Sequence, residues 1–137
     1  MSEPSRFAVL SVALPPSWSG QSVVLLRLLT GIDPGRYCLI GPEADRALGK
    51  AGTFLDELPA VRHALPDPFQ IRRGNRLGVH RVRDVVNQLV RIAGVVPKAW
   101  RIARILRGER CDAVVACSGD LQDLPAAWLA ARWAGVR

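Results

Sequence analysis

The chain predicts an α/β fold, a Rossmann-like parallel sheet flanked by helices, and three observations carry that prediction. Short apolar runs alternate with longer amphipathic segments, the order in which strand and helix succeed one another in βαβ units. The runs are apolar throughout, as in Phe7-Ala8-Val9-Leu10-Ser11-Val12-Ala13-Leu14, which suits strands covered on both faces. Proline and glycine turn signals, Pro15-Pro16 and Asp33-Pro34-Gly35 among them, separate one element from the next. With 137 residues, 49% hydrophobic and 23% charged, the chain is globular and forms one domain with its own core.

The first strand is predicted over 6–13 and ends at the two prolines, which lack the donor a central strand needs. Gly20 opens a helix over 20–31, with Val23, Val24, Leu26, Leu28 and Leu29 apolar. Asp33-Pro34-Gly35 turns the chain into a second strand over 36–41. The 42–59 stretch, with Gly49, Gly52 and Pro59, reads as a short helix and loop, and a third strand follows over 60–65. Leu65-Pro66-Asp67-Pro68 is extended, because a residue before proline is pushed out of the helical region. A long helix spans 78–108, where Gly94 and Pro97 are expected to kink or split it. Val82, Val86, Leu89, Ala93, Val96, Trp100, Ala103 and Leu106 recur every three or four residues along it as one apolar stripe. A fourth strand over 112–117 and a helix over 122–134 complete the pattern. No internal repeat is present.

Charge is concentrated in the long helix and the segment before it. Residues 1–69 hold six basic and seven acidic side chains, residues 70–110 eleven and two, residues 111–137 two and three. The excess of +7 therefore belongs to the basic helical segment 70–110. Arg83, Arg91, Lys98 and Arg101 fall mainly opposite the apolar stripe and form the candidate membrane- or anion-binding set. Three readings of this segment stay open. It is a solvated face on a core-packed helix, a surface for an anionic membrane, which the basic amphipathic pattern and Trp100 suit, or a nucleic-acid surface. The last has the least support, since no helix-turn-helix, zinc-finger spacing or aromatic platform accompanies the charge.

Two turns carry the remaining chemistry. Ser17-Trp18-Ser19-Gly20-Gln21 joins the first strand to the first helix, where free backbone N–H groups and the helix dipole favour an anion. Gly20 has no Cβ to keep a ligand from the backbone. Ser118-Gly119-Asp120-Leu121-Gln122-Asp123 follows the fourth strand, and in an open parallel sheet ligands bind outside the carboxyl ends of the strands. Asp120 would bind acceptor hydroxyls or help a proton leave one; alternatively Asp120 or Asp123 caps the following helix. No Gly-x-Ser-x-Gly elbow, Gly-x-Gly-x-x-Gly or Gly-Lys-Ser/Thr loop is present, which argues against the usual hydrolases, dehydrogenases and kinases. His63 and His80 lack metal-ligand spacing with the cysteines, so no metal site is assigned. Cys38, Cys111 and Cys117 are an odd set beside predicted strands and read as reduced core thiols of a cytoplasmic protein. Only Arg6 precedes the first apolar run and prolines follow it, unlike a signal peptide; no run of roughly twenty apolar residues would span a membrane.

The opening strand, Pro15-Pro16, the small pair Ser19-Gly20 and the helix after it resemble the start of GT-B glycosyltransferases of the retaining "glycosyl transferases group 1" type. Arg27-Leu28-Leu29 through Asp33-Pro34-Gly35-Arg36-Tyr37-Cys38-Leu39-Ile40, and Cys111 to Asp120, fit the same picture. The resemblance implies that Ser19, Gly20 and Gln21 face the diphosphate of a sugar donor, with Ser19 where the family commonly has a first glycine. It places Ser118 and Asp120 on the acceptor side, with Asp120 the candidate catalytic residue. It implies a nucleotide-diphosphate sugar as substrate, a sugar or lipid-linked acceptor, no bound cofactor, and a peripheral position at the inner membrane face. Such enzymes close their cleft with a second Rossmann-like domain carrying paired glutamates, and nothing here can be that domain. The expectation is thus one partial N-terminal domain over 1–137, inactive alone, whose missing domain is supplied in cis or by a separate chain. The alternative is a stand-alone basic binding module for an anionic membrane surface or nucleic acid.

Overall fold

The computed structural model describes residues 6–11, 20–42, 58–66, 80–117 and 122–136. Four strands, β1 (Phe7–Leu10), β2 (Tyr37–Pro42), β3 (Val61–Leu65) and β4 (Ala113–Ala116), form one sheet in the order β3-β2-β1-β4. Every pairing is parallel, with Val9 opposite Leu39 and Val115, and Ile40 opposite His63. Three α-helices accompany it among the described residues: α1 (Gly20–Leu29), α2 (His80–Gly108) and α3 (Asp123–Ala134). The fold is Rossmann-like α/β, as the alternating pattern predicts.

The apolar strands divide their side chains between two cores because successive residues point to opposite faces. Ala8, Leu10, Cys38, Ile40 and Leu65 face a core built with Ala99, Ile102, Ala103 and Leu106 of α2 and Ala126, Ala127 and Ala130 of α3. Val9, Tyr37 and Leu39 face the other core, with Leu25, Leu26 and Leu29 of α1. Alanines on both α2 and α3 let these helices lie close to the sheet and to each other. Phe7 stacks on Tyr37 with ring centroids 5.9 Å apart.

Local chemistry terminates each element. The Asp33 carboxylate accepts from the Gly35 amide at 2.9 Å, starting the 3₁₀ turn Pro34–Arg36 that feeds β2. α3 ends in a Schellman motif: Gly135 takes φ 73°, and the Val136 amide donates to the Ala131 carbonyl at 2.9 Å. Arg110 takes the left-handed conformation after α2, with φ 52°, and the Cys111 amide returns to the Leu106 carbonyl at 2.9 Å.

α2 is continuous, and part of its expected apolar face is uncovered. It runs unbroken for 29 residues through Gly94 and Pro97, so neither residue splits it. Its apolar stripe also does not all face the core: only Ala103 and Leu106 of the predicted positions are buried, joined by Ala99 and Ile102. Length explains this. A helix of 29 residues spans about 43 Å, whereas strands of four to six residues reach about 20 Å at most. The first two thirds of α2 overhang the sheet. Val82, Val85, Leu89, Ile92, Val96 and Trp100, spaced three or four apart, are 54–67% exposed there.

The predicted short helix and loop falls mostly in 43–57, outside the described residues.

Candidate functional site

β1 and β4 lie side by side, but their chains leave toward opposite faces of the sheet. β1 leads to α1 over the Val9 core, and β4 leads to α3 over the Leu10 core. This divergence is a topological switch point, the place where doubly wound sheets bind ligands, outside the carboxyl ends of the strands. The ladder runs one residue past each strand at this edge. The Ser11 amide donates to the Ile40 carbonyl at 3.0 Å, and the Cys117 amide to the Leu10 carbonyl at 2.7 Å.

Two of the three residues assigned to the diphosphate turn are described, and they open α1. Gly20 is its exposed first residue, Gln21 is half-buried, and Ser22 beneath them is fully buried. A Cβ at Gly20 would meet no atom of the described residues within 4 Å, so none of them requires a glycine there for packing. The first turn of α1 holds no acidic residue, so no side-chain charge there opposes an anion. Ser19, Ser118 and Asp120 lie outside the described residues.

On the other side, α3 begins at Asp123, buried to 1% exposure. Its carboxylate accepts a hydrogen bond from the Lys98 ammonium of α2 as an ion pair. Gln122 occupies the cap position without a side-chain cap, and its amide donates to the Arg91 carbonyl. Gln122 packs over Gly94, whose Cβ position lies at an ordinary contact distance of 3.8 Å from Gln122 Nε2.

The four residues of the basic set fare differently. Arg101 is exposed; Arg91 is half-buried; Arg83 reaches its exposed neighbour Asp84 at 3.2 Å. Lys98 stands apart, its charge neutralised inside the fold by Asp123.

Charge pairing elsewhere was not visible in the sequence. Glu109, at the end of α2, accepts from Arg6 on one oxygen and lies 2.8 Å from His63 Nε2 on the other. This network ties the entrance of β1 to β3 through His63 and Glu109, 46 positions apart in sequence, a separation at which spacing carries no signal. Of the exposed row on α2, Val82, Leu89, Val96 and Trp100 belong to the apolar stripe legible in the sequence, whereas Val85 and Ile92 do not; periodicity reports a face, not what covers it.

Cys38 and Cys111 are free thiols in the core, Sγ to Sγ 3.9 Å apart. Burial pushes the Cys38 thiol up to about 12 and raises Cys111 too, so neither is a nucleophile at neutral pH. Among the described residues no group of three His, Cys, Asp or Glu side chains gathers to hold a metal, and no helix is long and apolar enough to cross a membrane. No family model, curated protein or solved structure matches this chain.

Proposed function

We propose that this chain supplies one wall of a glycosyltransferase cleft of the GT-B kind, transferring a sugar from a nucleotide-diphosphate donor to an acceptor hydroxyl. One observation carries the reading. The strand order places the acid-free N-terminus of α1 at the β1/β4 switch point, where doubly wound sheets bind phosphorylated ligands. In this scheme Ser19, Gly20 and Gln21 offer backbone N–H groups to the diphosphate, offsetting the charge that builds on the leaving group. Ser118 and Asp120 face the acceptor, with Asp120 taking or guiding the hydroxyl proton. A second domain, in cis or from another chain, completes the donor site. Titration with uridine, guanosine and adenosine diphosphates, followed by amide NMR, tests this. The amides of Gly20, Gln21 and Ser22 are expected to shift saturably with at least one nucleotide; absence of shifts there with all three contradicts the reading.

A second reading concerns where the enzyme works, and the overhang of α2 favours it. α2 carries seven basic residues and one acidic residue beside its exposed apolar row. A second copy would bring like charge against like charge, whereas an anionic lipid surface complements it. Leu89→Glu with Ile92→Glu is expected to abolish sedimentation with phosphatidylglycerol vesicles at an unchanged melting temperature. Undiminished sedimentation would exclude this face as the contact.

A further inference from the structure

A concavity lies away from the switch point, between the edge strand β3 and the last third of α2. It is an open groove of 430 Å³, lined by His63 and Leu65 of the strand and by Arg101, Arg104, Ile105 and Glu109 of the helix side. That volume lies within the range of small-molecule sites. Arg101 and Arg104 are three residues apart on one helix, a spacing that makes their side chains neighbours. Both are exposed.

The one acidic side chain in the lining does not neutralise them. Both Glu109 oxygens are engaged, one by Arg6 and one by His63 at 2.8 Å. Arg101 has no ion-pair partner among the described residues. Arg104 rests over the Trp100 ring at 4.9 Å, a contact with the π-face that leaves its N–H donors available. Two guanidiniums therefore face one groove with no acidic partner among the described residues, each offering planar N–H donors that match phosphoryl oxygens. Leu65 and Ile105 add apolar surface beside them.

We propose that this groove is a binding site for a phosphate monoester, with Arg101 and Arg104 on the phosphoryl oxygens and Leu65 and Ile105 against the organic group. The site does not depend on the glycosyltransferase reading, since it shares no residue with the switch-point turns.

The test is calorimetric titration of the 137-residue chain with inorganic phosphate and with glycerol 3-phosphate at constant ionic strength, with amide NMR reporting location. Saturable binding of glycerol 3-phosphate is expected, with shifts in 63–66 and 101–109 and none at Gly20 or Gln21. Arg101→Gln with Arg104→Gln is expected to weaken it on the order of tenfold or more, as loss of two charge-assisted contacts should. The charge-matched pair Arg27→Gln with Arg132→Gln, exposed on α1 and α3 away from the groove, leaves it unchanged. Equal weakening by both pairs, or no saturation, overturns the site, because binding would then follow net charge alone. Vesicles of phosphatidic acid against phosphatidylglycerol identify the source. A preference for phosphatidic acid that the Arg101/Arg104 pair removes points to a lipid headgroup, and glycerol 3-phosphate binding without it points to a soluble ester. Binding of neither overturns the proposal.

Discussion

At Asp123 a carboxylate is buried at the start of α3, and its charge is tolerable because Lys98 reaches it from α2. Removing one partner of such a pair leaves an uncompensated buried charge, which costs about 3–5 kcal/mol. Lys98→Met is therefore expected to destabilise the chain by about 3 kcal/mol in urea unfolding, and adding Asp123→Leu to recover most of that loss. A second prediction concerns Cys38. The folded chain holds its thiol protonated to about pH 12, whereas an unfolded thiol ionises near 8.5. The unfolded state thus binds fewer protons through this window, so stability is intact below it and falls as pH rises across it. Cys111 and Tyr37, also raised by burial, act in the same direction. Urea midpoints between pH 8 and 11 should decline, and Cys38→Ala should make that decline shallower without removing it.

At the scale of elements, the β-strands and helices were legible because each has a local signature. The first strand begins at Phe7, the turn at Asp33-Pro34-Gly35 is capped by its own aspartate, and α3 stops at Gly135. α2 was legible as a helix but not in its partners. Ala99, Ile102, Ala103 and Leu106 pack and Val82 to Val96 do not, and that difference depends on how far the sheet extends beneath the helix. Pro97 does not break α2, although its missing N–H removes one helical hydrogen bond. Gly94 is the position that can be improved, since glycine in a helix interior costs about 1 kcal/mol relative to alanine. A Cβ there would meet only Gln122 Nε2, at the ordinary contact distance of 3.8 Å. Gly94→Ala is accordingly expected to raise stability by up to about 1 kcal/mol; a loss would mean that Gln122 cannot accommodate the methyl group.

For the whole molecule, the sheet order could be read from sequence only as parallel. That β1 sits between β2 and β4, and that α1 and α3 leave from its two sides, is a matter of long-range pairing. That order sets Gly20 at the start of the helix that follows a switch-point strand. The acceptor-side residues Ser118 and Asp120 rest on sequence and resemblance, while the Arg101/Arg104 groove emerges from tertiary packing between β3 and α2. The two sites make separable demands on the molecule, one through backbone amides at the switch point and one through side-chain guanidiniums.

The central claim is that the N-terminus of α1 holds a diphosphate by close backbone approach at Gly20. The most direct test is the affinity of the chain and of Gly20→Val for the nucleoside diphosphate that binds best. Because a side chain at Gly20 meets no atom of the described residues, the variant should fold with an unchanged melting temperature and bind on the order of tenfold more weakly. Equal affinity in the two proteins would contradict the account.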